Sequence, residues 1–253
     1  MYMIDTHCHI FSEYYENIDE LISEIKSSGV NRIIINGCDM KSNLEVLKLI
    51  EKYDCVYGAL GFHPTELLEY DDSDLSWLEN HINDKKIVAI GEIGLDYHYE
   101  DTDKIKQILV FRKQLELASR YKKPVIVHAR DAIGDTLSIL KEYDVRGSMH
   151  CFSGSLEMAR EFIKIGFYIG IGGVCTYKNA KNIVNVIKDI DLAYILLETD
   201  SPYLSPEPYR GKKNTPSNLK IIANKISDIK GVSFENVVNI TNDNTSSLFD
   251  FCE

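Results

Sequence analysis

Close to its start the sequence runs Ile4-Asp5-Thr6-His7-Cys8-His9. Histidines spaced i, i+2 share one face of an extended segment, so His7 and His9 can offer two imidazole nitrogens to one metal ion. Cys8, between them, points to the opposite face and reads as packing. Taken alone the pair is weak evidence. It gains weight because later apolar runs also end in residues of ligand type. Leu60 is followed by Gly61-Phe62-His63-Pro64, and Ile90 by Gly91-Glu92-Ile93-Gly94-Leu95-Asp96-Tyr97. Val127 is followed by His128-Ala129-Arg130-Asp131, Met149 by His150-Cys151-Phe152-Ser153-Gly154, and Leu197 by Glu198-Thr199-Asp200-Ser201-Pro202-Tyr203. Five of the seven histidines fall at such places; only His81 and His98 do not.

Imidazoles and carboxylates together suit divalent cations with N and O ligands. One carboxylate can bridge two ions about 3.5–4 Å apart, as in two-metal hydrolases. Glu92, in the middle of the ligand-bearing segments, is the expected bridge. One ion is expected on His7, His9, Glu92 and Asp200, the other on Glu92, His128 and His150. Asp200 is placed to orient the attacking water or take its proton, so Glu92 and Asp200 are the expected catalytic pair. His63, before Pro64, is either structural or a substrate contact. Asp131 reads as the N-cap of the next helix.

These residues need a scaffold that brings the ends of many short segments together. Eight β-rich runs supply it: Tyr2-Ile4, Arg32-Asn36, Cys55-Leu60, Ile87-Ile90, Val125-Val127, Gly147-Met149, Phe167-Ile169 and Tyr194-Leu197. Helical patterns begin near Asn17, Lys41, Asp74, Asp103, Asp131, Ser155, Asn179 and Thr215. Leu21, Ile22 and Ile25 form a packing stripe stopped at Gly29. Ile105, Ile108, Leu109, Phe111, Leu115 and Ala118 form a longer one. Strands alternating with helices imply parallel pairing through right-handed crossovers, and eight units of about 30 residues fill about 240. The expected architecture is one α/β domain over residues 1–253, a (β/α)8 TIM barrel with an extra C-terminal helix from Phe234 to Phe249. In such barrels chemistry gathers where strands end.

With 253 residues, 44% of them hydrophobic, the chain can bury a large core. No apolar run reaches the roughly 18 residues of a membrane span, and no basic-then-apolar leader opens it. Six scattered cysteines without a CxxC pair read as reduced thiols, so a cytoplasmic protein is expected. The formal net charge of −11 argues against a broad basic clamp on nucleic acid. It leaves open an enzyme that meets phosphate through metal ions.

These strand-end segments, taken in order, resemble the TatD-type metal-dependent deoxyribonucleases of the amidohydrolase-like barrel superfamily. The segment Pro208-Tyr209-Arg210-Gly211-Lys212-Lys213-Asn214-Thr215-Pro216 also matches. The resemblance covers the whole chain and departs at Phe11, where that family usually carries an acidic or amide residue. It implies a barrel with two divalent ions (zinc, magnesium or manganese) that hydrolyses phosphodiester bonds of DNA. Substrate contacts are expected from His63, Tyr97, Arg130, Tyr203 and Arg210: the arginines toward phosphate, the tyrosines toward a base or ribose. The DNA is expected to be single-stranded or cut from an end, and a monomer is expected. The alternative is a metal-dependent deacylase acting on a small ester or on D-aminoacyl-tRNA. Small-molecule members of the superfamily often bridge their ions with a carboxylated lysine, whereas Glu92 takes that place here.

Overall fold

The computed structural model describes residues 2–251. Strands and helices alternate: β1 (Met3–Cys8), α1 (Ile18–Ser27), β2 (Val30–Asn36), α2 (Met40–Lys52), β3 (Val56–Leu60), α3 (Asp72–His81), β4 (Ile87–Asp96), α4 (Lys104–Tyr121), β5 (Val125–Arg130), α5 (Ile133–Leu140), β6 (Gly147–Met149), α6 (Leu156–Lys164), β7 (Phe167–Ile171), α7 (Lys181–Asp189), β8 (Ile195–Leu197), α8 (Leu219–Lys230) and α9 (Phe234–Leu248). The strands pair in parallel and in chain order, with registers such as Ile33↔Val56, Val127↔Met149 and Ile169↔Ile195. The ends of the sheet meet. The Thr6 hydroxyl donates to the Leu197 carbonyl at 3.0 Å. Beyond β8, the Asp200 N–H donates to the His7 carbonyl at 2.9 Å and the His9 N–H to that of Ser201 at 2.6 Å. The expected barrel is present.

Its strands are buried on both faces, which is why they read as unbroken apolar runs. Ile33 and Ile35 face the helices, while Ile34 joins Tyr57, Val88, Ile126 and Leu196 in a separate interior cluster. The extra helix α9 brings Leu248 and Phe249 onto that cluster. Phe251 then meets the Tyr57 ring edge-on and lies under Arg32, at the entrance ends of β2 and β3. That end of the barrel is therefore plugged by apolar side chains, opposite the strand ends that carry the ligand-type residues.

Three local expectations change. The apolar stripe of α4 holds at Ile108, Phe111, Leu115 and Ala118, but Ile105 and Leu109 are 74% and 54% exposed, while Gln107 and Gln114 are buried. Each glutamine amide satisfies a backbone N–H and carbonyl, Gln107 at Asp96 and Gln114 at Phe62. Two otherwise costly buried polar groups thus become clamps on strand-end segments. Strand β4 runs on to Asp96, so Glu92 lies within it, beside a register irregularity between Ile90 and Ile93. Asp131 does not cap α5, whose N-cap is Ala132 without a side-chain bond. Asp131 instead takes a positive φ of 53° and accepts from His98 Nδ1 at 3.0 Å. Gly29, at φ 91°, follows α1 as expected, in a conformation that costs glycine little. The five described cysteines are free thiols; Cys252 lies outside the described residues.

Candidate metal centre

The ends of β1, β3, β4, β5 and β6, with the segment after β8, converge on the carboxylate of Glu92. On its Oε2 side stand His7 Nε2 at 3.3 Å and His9 Nε2 at 3.4 Å. These two nitrogens are 3.1 Å apart, and Asp200 Oδ1 lies 3.7 Å from both. On its Oε1 side stand His150 Nε2 at 3.0 Å, His128 Nδ1 at 3.1 Å and His63 Nε2 at 3.3 Å. His150 also stacks on His7 with ring centroids 3.8 Å apart, which joins the two sides. His63, expected to be structural or to touch substrate, faces the same carboxylate oxygen as His128.

The outer partners of these rings decide which nitrogen faces inward. His9 Nδ1 lies 2.9 Å from the Asn36 carbonyl, an obligate acceptor, so that nitrogen carries the proton. In the neutral ring Nε2 then turns its lone pair to the centre. His128 is fixed the opposite way: Nε2–H donates to Asp96 Oδ2 at 3.0 Å, leaving Nδ1 bare toward Glu92. Lone pairs aimed at a carboxylate at these distances suit a cation held between them. Two ligand atoms about 2.0–2.1 Å from one tetrahedral ion stand about 3.3–3.4 Å apart, in line with the separations here. Three sets fit: His7, His9 and Glu92; His63, Glu92 and His128; His7, His150 and Asp200.

Rings and carboxylates act on each other across the centre: burial opposes charge on His9, His128 and His150, but Asp200 and Glu92 at His9, Asp96 and Glu92 at His128, and Glu92 and Glu198 at His150 outweigh it and raise all three. Burial opposes charge on Glu92, but His150, His63 and His7 outweigh it and hold its carboxyl well below the usual range. Burial likewise opposes charge on Asp200, and His9, His150 and His7 keep it low. Burial depresses His7 and His63. Beneath the centre, burial pushes Asp5 up to about 8 against hydrogen bonds from Thr199 and the His7 N–H. Asp5 accepts from His7 N at 3.2 Å and from Thr199 N at 3.0 Å, so it ties the β1 end to the last strand segment.

The centre opens into a cavity of about 410 Å³ that also exposes Phe11, Glu13, Tyr14, Cys38, Glu66, Tyr99, Arg130 and Tyr203. Arg130 lines it with its guanidinium 5.8 Å from the centroid of Tyr99. Tyr203 lines it too, bonded to the Tyr14 hydroxyl at 2.9 Å. Tyr97 and Arg210 do not line it. Tyr97 lies under Lys104 and donates to Asp135 at 3.1 Å, and Arg210 rests on Tyr177, 4.3 Å from the ring centroid.

Sequence reasoning overlooked several contributors. Asp96 orients His128. Glu198 is wholly buried, accepts the Cys151 N–H and lies 3.7 Å from His150 Nδ1. Cys38 Sγ lies 3.8 Å from Glu92 Oε2 and 3.9 Å from His9 Nδ1. The strand-end rule, applied to Gly37-Cys38-Asp39 directly after β2, finds Cys38. Asp96 and Glu198 stood inside ligand-bearing segments but carried no role.

Known proteins are similar to this chain over nearly its whole length. The sequence profile of the family described as "TatD related DNase" matches residues 4–250. The chain is 42% identical over 251 residues to an uncharacterized metal-dependent hydrolase of Bacillus subtilis, YabD, covering 98% of each. It is 34% identical over 256 residues to YcfH of Escherichia coli, described in the same words, covering 98% of this chain and 96% of that one. The crystal structure of YjjV, a TatD homolog from Escherichia coli, superposes with a TM-score of 0.95 at 34% identity, covering 98% of both chains. No helix among the described residues is long and apolar enough to cross a membrane. By sequence over nearly its full length, the chain belongs to the TatD-related DNase family.

Proposed function

We propose that the protein is a divalent-metal-dependent hydrolase that cleaves phosphodiester bonds of DNA, acting on single strands or from ends. The observation that carries this is Glu92: each of its oxygens faces its own set of histidine nitrogens, the arrangement of a carboxylate shared between two ions. Bound there, divalent cations supply Lewis-acid polarisation of a phosphoryl oxygen and lower the pKa of a nearby water. The chain's own residues do the rest. His7, His9 and Glu92 would hold an ion at the deeper position, and His63, His128 and Glu92 one at the outer. His150 stands between them. Asp200, on the cavity wall and kept ionised by the surrounding histidines, receives the proton of the attacking water. The new P–O bond forms from that water as the bond to the leaving sugar oxygen breaks, and that oxygen takes a proton from solvent at the open mouth. Arg130 is positioned to bind a phosphate oxygen beside the centre.

A recessed cavity suits a strand that threads in. An intact duplex would need a broad cationic surface, which a chain of net charge −11 offers poorly. A second reading, deacylation of a small ester or of D-aminoacyl-tRNA, has one observation in its favour: Glu13, Asp39 and Glu66 line the cavity and suit an ammonium group. The test is purified protein on labelled linear single strands, linear duplexes and closed circular duplexes, with magnesium, manganese or zinc and with chelator. Faster cleavage of the single strand, abolished by chelator, is expected. Nicking of the closed circle at the same rate contradicts the end or single-strand preference. Inactivity on all three, with release of amino acid from an aminoacyl ester, replaces the reading with the deacylase.

A further inference from the structure

Beside the metal cavity lies a second cleft of about 630 Å³, between the segment after β3 and the start of α4. The two share Thr65, Glu66 and Tyr99 as a common wall, so a substrate in the first can extend into the second. The cleft's chemistry is unlike that of a phosphate site. Glu66, Asp101 and Asp103 line it against one cation, Lys106. The Lys106 ammonium is committed to the carbonyls of Leu67 and Leu68. Three carboxylates facing one engaged ammonium repel a phosphodiester. Beside the uncharged polar Thr65, Thr102 and Gln107, the cleft offers an apolar surface of Pro64, Leu67, Leu68 and the Tyr99 ring, with Leu68 92% exposed and Tyr99 52%. A bare leucine and a half-bare tyrosine across a cleft fit a flat, uncharged ring.

Across the mouth the charges reverse. Lys213 bonds the Tyr14 carbonyl beside the Tyr14–Tyr203 pair that lines the metal cavity, and Arg210 and Lys212 belong to the same segment. With Arg130 beside the centre for the scissile phosphate, the rest of a polyanionic strand meets more cations on that side than in the acidic cleft.

Resting on the phosphodiesterase reading, we infer that the cleft between Pro64 and Gln107 is a subsite for the base of the terminal nucleotide. The scissile phosphodiester lies at the metal centre and the rest of the strand leaves over the Arg210–Lys213 side. Since the cleft rejects a further phosphate, each cut releases one nucleotide.

The test uses metal-loaded full-length protein and three short DNA strands: one intact, one with an abasic residue at the 5′ end, one with it at the 3′ end. At one end, and only one, loss of the base is expected to raise KM roughly 5- to 100-fold, the range set by one stacked base. Tyr99→Ala and Leu68→Asp should raise KM for the intact strand and erase its advantage over the abasic one; Leu68 is so exposed that its substitution spares the fold. Products should be mononucleotides. Hydrolysis indifferent to the base at both ends, or release of dinucleotides and longer pieces as first products, overturns the subsite and leaves the phosphodiesterase reading standing. Failure to cleave any strand removes both.

Discussion

The two oxygens of Glu92 look into unlike surroundings. On the Oε2 side the His7 and His9 side chains are 0% and 7% exposed. His7 lies in β1 and His9 directly after it, and His9 is locked to the Asn36 carbonyl. On the Oε1 side His150 is 4% exposed, but His63 and His128 are 13% and 17% exposed and come from different strand ends, and His63 Nδ1 lies 2.8 Å from the Thr65 hydroxyl in an exposed loop. A ligand pair at the end of a single buried strand is preorganised; a pair assembled from two strand ends at an open mouth has more ways to loosen. In the proposed two-ion reading, one carboxylate would thus join a deep, rigid position to an outer position nearer the open mouth.

The sharpest way to break the comparison is to remove its shared element. Glu92→Ala should lower turnover about 10³-fold or more, because metal stabilisation of the transition state is worth several kcal/mol at 1.36 kcal/mol per decade. Both positions should empty together in a metal analysis of the purified variant. If one position still fills with wild-type affinity, Glu92 is not shared.

Unequal depth makes a second prediction. Chelation followed by metal titration should show two phases, the weaker assigned to the outer position. His128→Ala should remove the weaker phase and keep the tighter one, whereas His9→Ala should weaken the tighter. Equal loss of both phases in either variant would erase the distinction between the sides.

A smaller effect is expected from Asp96→Asn. It leaves His128 in place but frees its Nε2 proton from a carboxylate. Outer partners of metal-binding histidines typically matter by 10- to 100-fold in affinity or activity, and the loss should fall on the outer phase alone. The smallest functional effect is expected for Gln114→Ala, which strands the Phe62 N–H and carbonyl. It should cost about 1–3 kcal/mol of unfolding free energy in a denaturant titration while metal stoichiometry stays normal. A variant as stable as wild type would show that water replaces the amide.

How much was legible in the sequence depends on the range over which each pattern is set. The alternation that aims His7 and His9 together is a property of one strand, so it can be read locally. The eight apolar runs are buried on both faces, so the barrel could be counted. Gln107 and Gln114 were invisible because their burial depends on carbonyls and N–H groups at Asp96 and Phe62, brought there by other strands. On a helix such residues look like a solvated face, and Ile105 and Leu109 look like core. Asp131 stood where a cap is expected, yet its left-handed backbone turns it to His98, a contact local spacing does not encode. Tyr97 sits in a ligand-bearing segment, but Lys104 and Asp135 fix it outside the cavity. Side-chain direction at a strand end is set by neighbours on both flanking strands, and these are distant in sequence.

The seam between β1 and the segment after β8 has a consequence for how the chain comes into being. The Thr6–Leu197 bond spans 191 residues, and His7 and Asp200 meet beside it. During synthesis from the N-terminus, His7 and His9 emerge first, and the strand that closes the circle emerges when most of the chain already exists. Until then β1 has an open edge, Asp5 lacks Thr199, and His7 lacks the backbone that fixes it. The backbone that seats His7 and His9 is completed only after the last stave of the barrel is in place. On the proposed metal reading, cation occupancy there would mark a finished molecule, since a chain stopped short of Asp200 carries the histidines without the backbone bonds that seat them.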